Sequence, residues 1–322
     1  MFPKQRLRRL RKSDGMRRLV QESHLSLDDL VYPIFVGEGL TEPQTIQSMP
    51  GIQRIPPSMV QEEMKKIQAD GISAVMLFGV PKTKDSLGSS AYDKDGVVQN
   101  AIRETRRSTP DMVIMADVCM CQYTDTGHCG IYRKGAVDND ATIRYLAEIA
   151  ASYAKVGVDI VAPSAMMDGQ VAAIRTRLDY EGYTDVAILA HAAKHHSSLY
   201  TPFRDAASCA PKCGDRSGYQ MSYANSRQAM MEVAADITEG ADIIMIKPAI
   251  PYLDLVAETR RRFDVPVAAY NVSGEYALVH AADAQGLINK DAVMLEMLGS
   301  IKRAGADIIV TYFAREVSRL LR

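Results

Sequence analysis

Two lysines and three cysteines are the residues of this chain whose types and positions are best suited to chemistry. Lys247 closes the apolar, strand-like run at 243–246, and Lys194 follows another such run, at 186–190, by four residues. An amine at the end of a buried strand is poorly hydrated, which disfavours its charged form and leaves a nucleophile able to form a Schiff base with a carbonyl. Two such amines predict two carbonyl substrates.

The three cysteines form a compact motif, in which Cys119, Cys121 and Cys129 have the spacing C-x-C-x₇-C. Three thiolates on one loop can hold Zn²⁺ and leave a fourth position to water or substrate, as in catalytic zinc sites. The spacing is not that of a common zinc finger, so buried, redox-inert cysteines are the competing interpretation. His128 is either a fourth ligand or a group that supports the ligands.

Composition indicates an ordinary globular protein. Of 322 residues, 47% are hydrophobic and 24% are charged, and no apolar run approaches the roughly 18 residues that a membrane span needs. The N-terminus lacks the apolar core of a secretory signal, and five cysteines, three of them close together, suit a reducing compartment. We therefore expect a cytoplasmic protein with no membrane partner.

Charge is unevenly distributed along the chain. Residues 1–18 hold eight basic side chains against the single acid Asp14, which gives +7 and leaves −8 for the rest of a chain whose net charge is −1. Nucleic-acid contact, an organelle transit peptide and an arm that docks on a sister subunit are the three interpretations. We favour the docking arm and expect no nucleic-acid partner, because no recognised binding motif or second basic stripe follows.

Strand-like and helix-like patterns alternate along the chain. The eight predicted strands are 31–36, 72–78, 113–118, 158–162, 186–190, 243–246, 267–270 and 308–311, and the predicted helices are 58–69, 139–155, 169–179, 225–239, 251–263 and 290–303. This alternation predicts an α/β protein, a (β/α)₈ TIM barrel at 31–322 preceded by an extended N-terminal arm at 1–30. A doubly wound sheet is the alternative fold.

The barrel makes a further demand, because active sites of this fold gather at the carboxyl ends of the strands. Reactive and polar side chains do follow the predicted strand ends: Asp117, Ser164, Lys194, Lys247, Ser273 and Tyr312. Each alone is an ordinary capping or loop residue. Together they predict one site at the barrel mouth.

Motifs along essentially the whole chain resemble the porphobilinogen synthase (5-aminolevulinate dehydratase) family. They are RRLR at 8–11, MPG at 49–51, the three-cysteine loop, GAVDND at 135–140, APSAMMDG at 162–169, YTPFRD at 200–205, IKPA at 246–249 and AYNVSGEY at 269–276. The resemblance implies a barrel with an N-terminal arm, assembled as a homo-octamer. It also implies that two 5-aminolevulinate molecules are joined to the pyrrole porphobilinogen, with loss of water, in tetrapyrrole and heme biosynthesis.

The resemblance also assigns roles to individual residues. Lys194 and Lys247 are the Schiff-base lysines, and Asp117 and Ser164 assist proton transfer or orientation. The implied substrate-binding residues are Arg204, Arg216 and Gln220 for one carboxylate, Ser273 and Tyr312 for the other, and Tyr200, Phe203 and Tyr270. The implied metals are catalytic Zn²⁺ on Cys119, Cys121 and Cys129 and an activating Mg²⁺ on Glu232, for which a solvated surface glutamate is the simpler interpretation.

Departures from the family pattern lie near Lys194 and in an active-site lid near 196–220. The usual Ser-Tyr-Ser-(Ala or Thr)-Lys becomes AHAAK at 190–194, which places a histidine at position 191, and the lid carries Cys209 and Cys213. We expect porphobilinogen synthesis nonetheless. The alternatives are a paralog that condenses a similar compound in secondary metabolism, a class I aldolase-type lyase, which needs only one lysine and no thiolate metal site, and a nucleic-acid-binding protein led by the basic arm.

Overall fold

The computed structural model describes residues 4–321, in which eight parallel strands close into a barrel. The barrel strands, in chain order, are Leu30–Gly37, Ala74–Val80, Val113–Val118, Ile160–Pro163, Ala187–Lys194, Ile243–Lys247, Val267–Asn271 and Ile308–Thr311. Each pairs with its neighbours in sequence, and the first pairs with the eighth through Leu30 opposite Ile309. The predicted TIM barrel is confirmed, and the doubly wound sheet is wrong because that sheet would have open edges.

Helices surround the barrel, and all six predicted ones are present. The α-helices are Asp14–Leu19, Val60–Ala69, Val97–Ser108, Asn139–Ala154, Gln170–Tyr180, Thr201–Ala206, Ser226–Glu239, Leu253–Arg262, Ser273–Ala284, Lys290–Ala304 and Ala314–Leu321. The first part of the helix predicted at 58–69 is instead a 3₁₀ turn, Pro57–Met59. Glycine ends two helices where the backbone turns left-handed, at Gly240 with φ 106° and at Gly305 with φ 116°.

The same aspartate contact recurs at the amino ends of three barrel strands and links each to the strand before it. Asp159, Asp242 and Asp307 each follow a glycine by two residues. Their carboxylates accept the backbone N–H groups of Ile114, Ile188 and Val267, at 2.7, 2.7 and 2.9 Å. Each aspartate therefore links its strand to the preceding strand, at the amino end of the paired residues. The carboxyl ends, where the candidate residues lie, are left free for function.

The fifth strand differs from its prediction. It was predicted to end at residue 190, with Lys194 in the following loop, but it continues to Lys194. The sequence after Ala190 lacks the β-branched residues that favour strands, which hid the extension. Pairing with the sixth strand maintains the extended backbone, and Lys194 lies directly opposite Lys247.

The N-terminal segment is attached to the barrel through its last residues, since Leu25 and Leu27 pack against the core and Asp29 forms an ion pair with Lys302 at 2.7 Å. Residues 4–29 contain a 3₁₀ turn, Leu7–Arg11, and the helix Asp14–Leu19, and none of their side chains is buried. Residues 1–3 of the predicted arm and Arg322 of the predicted barrel domain lie outside the described residues. Among residues 4–321, no helix is both long and apolar enough to cross a membrane.

Short elements complete the mouth of the barrel. Strand Gln53–Ile55 pairs with the first barrel strand and with Gln44–Thr45, and strand Tyr132–Arg133 forms a hairpin with Ala136–Val137. The remaining 3₁₀ turns are Leu27–Asp29, Ser89–Ala91, Ser198–Tyr200 and Ile250–Tyr252.

Candidate active site

The two lysines form the centre of the candidate site. Lys194 and Lys247 are the last residues of neighbouring strands and are paired in register, and they are only 6% and 5% exposed. Adjacent parallel strands lie about 4.8 Å apart, so the two side chains start from neighbouring points on the barrel rim. The Nζ of Lys194 donates a hydrogen bond to the backbone oxygen of Ser164.

Lys247 lies in an aromatic pocket. Its Nζ is 3.8 Å from the ring centroid of Tyr270, 5.4 Å from that of Phe203 and 5.7 Å from that of Tyr200. Burial, and after it the positive charge of Lys194, lower the pKa of Lys247 from 10.5 to about 7. The free amine of Lys247 is therefore accessible near neutral pH.

Asp117 and Ser164 lie beside the lysines at the ends of the third and fourth strands. Both are buried, and the side chains of Ser164 and Gln122 hydrogen-bond to the Asp117 carboxylate, the latter at 3.1 Å. Burial raises the pKa of Asp117, while the positive charge of Lys194 opposes the rise. The carboxyl group can therefore hold a proton where the chemistry would need one.

Several buried polar atoms near the lid have no hydrogen-bond partner among residues 4–321. They include Nε of Arg204, Nε of Arg216 and both side-chain amide atoms of Gln220. The other end of Arg216 is fixed, since its guanidinium donates to the backbone oxygens of Gly127 and Cys209 at 3.0 and 2.5 Å. Leaving such groups unpaired is costly, and an anionic ligand would satisfy them.

A second polar group lies on the Lys247 side. Ser273 begins the helix after the seventh strand, and its hydroxyl accepts a hydrogen bond from the backbone N–H of Phe203 at 3.0 Å. The hydroxyl of Tyr270 donates to that of Tyr312 at 3.1 Å. Phe203 packs on Phe78 with ring centroids 5.1 Å apart. The predicted residues Tyr200, Phe203, Tyr270, Ser273 and Tyr312 thus meet around Lys247.

The three cysteines of the motif meet as predicted. Cys119, Cys121 and Cys129 are at most 3% exposed, and their sulfur atoms all lie within 4.8 Å of one another. The sulfurs of Cys119 and Cys121 are 3.5 Å apart. Burial and the two neighbouring thiols raise the pKa of Cys119. Three thiols this close ionise together only when a cation compensates their charge.

His128 and Cys209 have different relations to this cluster. The ring nitrogens of His128 contact the hydroxyl of Tyr219 at 3.0 Å and the backbone oxygen of Cys213 at 2.8 Å, which favours a supporting position over a fourth ligand. Cys209, from the lid, is buried against the cluster. A hydrogen bond with Cys121, together with the nearby charge of Arg216, lowers the pKa of Cys209 from 9.0 to about 6.

The predicted lid at 196–220 is hydrogen-bonded to residues outside it. Arg54 donates to the backbone oxygens of Ala206 and Asp205 at 2.6 and 2.5 Å. The ammonium of Lys84 donates to the backbone oxygen of Ser208, and Lys212 N–H donates to the cysteine loop. The lid is thus attached both to the first strands and to the loop that carries the thiols.

Glu232 lies apart from this group. It lines a cleft of about 760 Å³ beside the lid, together with Asp168, Gln220 and Asp236. Burial raises the pKa of Glu232, and the charges of Asp168 and Glu239 add to the rise. The predicted surface glutamate is therefore half-buried among other acids.

Sequence reasoning did not predict the contacts of three residues. Gln122 binds Asp117, Cys209 reaches the thiol cluster, and His191 lies buried within the electrostatic reach of both lysines. Glutamine in a loop carries no sequence signal. The positions of Cys209 and His191 depend on the lid path and on a strand irregularity, which no local pattern reveals.

Known proteins share this fold and sequence across the chain. The model of the family "Delta-aminolevulinic acid dehydratase" matches residues 4–320. The delta-aminolevulinic acid dehydratase of Methanothermus sociabilis is 51% identical over 98% of both chains, and that of Archaeoglobus fulgidus is 49% identical over 100% of this chain and 99% of the relative.

A solved structure gives the same result. The delta-aminolevulinic acid dehydratase (porphobilinogen synthase) of Toxoplasma gondii, in complex with the reaction product porphobilinogen, superposes with a TM-score of 0.96 at 40% identity and covers 99% of this chain and 92% of its own. The resemblance drawn from the motifs is confirmed: the chain belongs to the delta-aminolevulinic acid dehydratase family.

Proposed function

We propose that this chain joins two molecules of 5-aminolevulinate into porphobilinogen through Schiff bases on Lys194 and Lys247. The observation that carries the proposal is the pairing of two buried lysines, in register, at the carboxyl edge of the barrel. Two ketones require two amines, whereas a class I aldolase needs only one. The reaction forms one carbon–carbon and one carbon–nitrogen bond, and the two ketone oxygens leave as water.

The lysine pair supplies the nucleophiles. Because the pKa of Lys247 is lowered to about 7, its amine adds readily to a ketone at neutral pH. The aromatic rings around its Nζ exclude water, which protects the resulting imine from hydrolysis.

Two polar groups hold the substrate carboxylates. Arg204, Arg216 and Gln220 bind one carboxylate, and their unpaired buried atoms support this role. The hydroxyls of Ser273 and Tyr312 bind the other, beside Lys247 and among Tyr200, Phe203 and Tyr270. Each substrate is therefore held at its two ends, which orients its ketone toward a lysine.

Asp117 and Ser164 handle protons beside the amines. The raised pKa of Asp117 supports a carboxyl group that accepts and returns a proton during the condensation. The hydroxyl of Ser164 holds that carboxyl group in a fixed orientation through its hydrogen bond.

Cys119, Cys121 and Cys129 hold the catalytic Zn²⁺ in this proposal. Zinc–sulfur bonds of about 2.3 Å in a tetrahedron place the sulfurs about 3.8 Å apart, and the observed cluster has sulfurs 3.5 Å apart and all within 4.8 Å. Bound there, the ion supplies a Lewis acid. The half-buried acids around Glu232 suit an activating Mg²⁺, which usually takes only one or two carboxylates and keeps several waters.

The N-terminal arm supports the proposed homo-octamer, and the free cysteines support the proposed cytoplasmic location. The exposed leucines of residues 4–29, at Leu7, Leu10 and Leu19, together with the basic charges, suit docking on the acidic body of another copy in a homo-octamer. Free, closely spaced cysteines suit the reducing cytoplasm.

Incubation of the zinc-loaded protein with 5-aminolevulinate tests this function. We expect a pyrrole with the mass of porphobilinogen. An inert wild-type protein that becomes active when the lid residues are changed to those usual in the family would instead favour a paralog with a related substrate.

A further inference from the structure

His191 is a buried side chain that the proposed function leaves unused. It is 0% exposed, and neither ring nitrogen has a hydrogen-bond partner in the part of the chain that the structure describes. Arg204, Arg216 and Gln220 also carry such atoms, as does His195 with one atom. His191 and Gln220 are the side chains with two. A buried imidazole without a hydrogen bond at either nitrogen costs free energy, unless a ligand supplies the missing hydrogen bonds.

A β-bulge turns His191 toward the lysines. Ala190 is opposite Ile244 and Ala193 is opposite Ile246, so that His191 and Ala192 together face Met245. In a regular strand, residues three apart point to opposite faces, and His191 would point away from the side of Lys194. The extra residue in the bulge places His191 and Lys194 on the same face of the strand. Bulges near active sites commonly redirect side chains in this way.

Electrostatics agrees with this placement. Burial depresses the pKa of His191, and the charges of Lys247, on the neighbouring strand, and Lys194, on its own strand, depress it further. These two ammonium groups are the charges whose fields reach the ring. His191 is therefore a neutral imidazole, with one nitrogen that donates and one that accepts.

We propose that His191 is a catalytic residue that carries protons between the lysines and the ketone oxygens they displace. This inference rests on the proposed function. The neutral ring accepts a proton from a lysine ammonium, and the free amine adds to the ketone to form a carbon–nitrogen bond. A proton passes from that nitrogen to the ketone oxygen, which gives a hydroxyl.

The second half of the step returns the proton. The imidazolium protonates the hydroxyl, the carbon–oxygen bond breaks, and water leaves as the nitrogen lone pair forms the iminium. One positive charge is present at each stage, first on lysine, then on His191 and finally on the iminium. The buried site therefore never has to accept an additional charge.

Asp117 is less suited to this particular transfer. Its carboxylate already accepts hydrogen bonds from Gln122 and Ser164, whereas both nitrogens of His191 are free to meet a substrate. The two groups can thus serve different protons, with Asp117 acting at the condensation.

His195 provides a matched control. It is buried on the same segment and also has one unpaired nitrogen, but its ring stacks on Tyr252 with centroids 3.9 Å apart. Its pKa is lowered by burial, and Asp254 rather than either lysine side chain is the charged side chain that acts on it. We expect His195→Phe to keep the stacking and most of the activity.

The test compares His191→Ala with His195→Phe in the zinc-loaded protein. For His191→Ala we expect kcat to fall on the order of 100-fold or more, with little change in KM. Added imidazole should restore turnover, and substituted imidazoles should restore it according to their basicity. The rate of borohydride-trapped adduct formation at Lys247 should fall and recover in parallel, which a merely structural role would not produce.

Two results would overturn the role of His191. One is near-normal kcat in His191→Ala; the other is a loss that no imidazole restores while adducts form at the normal rate. If the alanine variant does not fold, His191→Gln keeps hydrogen bonding without proton transfer and should show the same fall in kcat, and normal turnover would contradict the proposal. A wild-type protein that makes no porphobilinogen would instead refute the proposed function itself.

Discussion

The lysine pair and the thiol cluster lie at the same edge of the barrel but are positioned by different kinds of structure. Lys194 and Lys247 end two strands whose register sets them side by side. Cys119, Cys121 and Cys129 lie on a loop that contacts the lid through Cys209 and Lys212. The proposed nucleophiles therefore depend on the barrel, whereas the proposed metal site depends on the loop and lid.

Replacing a lysine should have the largest effect. Lys247→Met removes the amine with the lowered pKa, and we expect turnover to fall by at least about 1,000-fold, since the loss of a covalent nucleophile is rarely compensated. Zinc content measured by atomic absorption should remain unchanged. If the variant loses zinc as well, the two regions are coupled more closely than the structure indicates.

Removal of the metal tests the reverse case, in which the thiol cluster is disabled and the lysine pair is left intact. A chelator or mild acid should abolish porphobilinogen formation, because protons compete for the thiolates, and added Zn²⁺ should restore it. Borohydride should still trap 5-aminolevulinate on Lys247 in the chelated protein. Full turnover by a protein shown to contain no zinc would mean that the cluster is not catalytic.

Loss of Arg204, which we propose binds a substrate carboxylate, should act mainly on affinity. For Arg204→Gln we expect KM to rise about 10- to 100-fold, the equivalent of a lost charged hydrogen bond. Lys212→Gln, at an exposed basic residue of the lid, is the control and should leave KM nearly unchanged. Equal effects of both changes would point to general charge attraction rather than to a specific contact.

The pH dependence should show how one lysine tunes the other. Adduct formation at Lys247 needs the free amine, so its rate should rise with pH and level off above its pKa of about 7. Because the positive charge of Lys194 lowers that pKa, Lys194→Met should move the rise to higher pH. A rise that stays at the same pH would show that burial alone sets the pKa of Lys247.

The arm should affect assembly more than chemistry. Deletion of residues 1–12 removes six of the basic side chains and the exposed Leu7 and Leu10, so light scattering should report smaller particles. High salt should weaken the same contacts where they are exposed. An octamer that survives the deletion would contradict the docking arm, and tight, salt-sensitive DNA binding by the intact chain would favour a nucleic-acid role.

Much of the barrel could be predicted because buried parallel strands are continuous apolar runs, and all eight barrel strands were found in this way. The helix Val97–Ser108 was missed because the polar residues Gln99 and Thr105 lie on its buried face. The helix Ser273–Ala284 was hidden by the serine and glycine with which it begins.

The position of a site residue was predictable where the residue follows a strand end. It was not predictable where tertiary packing sets that position. Lys247, Asp117 and the cysteine loop follow directly from strand ends. Lys194 was predicted in a loop because the strand that holds it is irregular, and the burial and unpaired nitrogens of His191 were not predicted for the same reason. A bulge depends on pairing with the next strand, which is not encoded in the local pattern.

Reduction with borohydride in the presence of 5-aminolevulinate, followed by peptide mass mapping, tests the central claim most directly. Two Schiff-base lysines predict substrate mass on the peptide that contains Lys247 and on the peptide that contains Lys194, with Lys247→Met losing the first. The absence of any adduct at Lys247 in the wild-type protein would contradict the account.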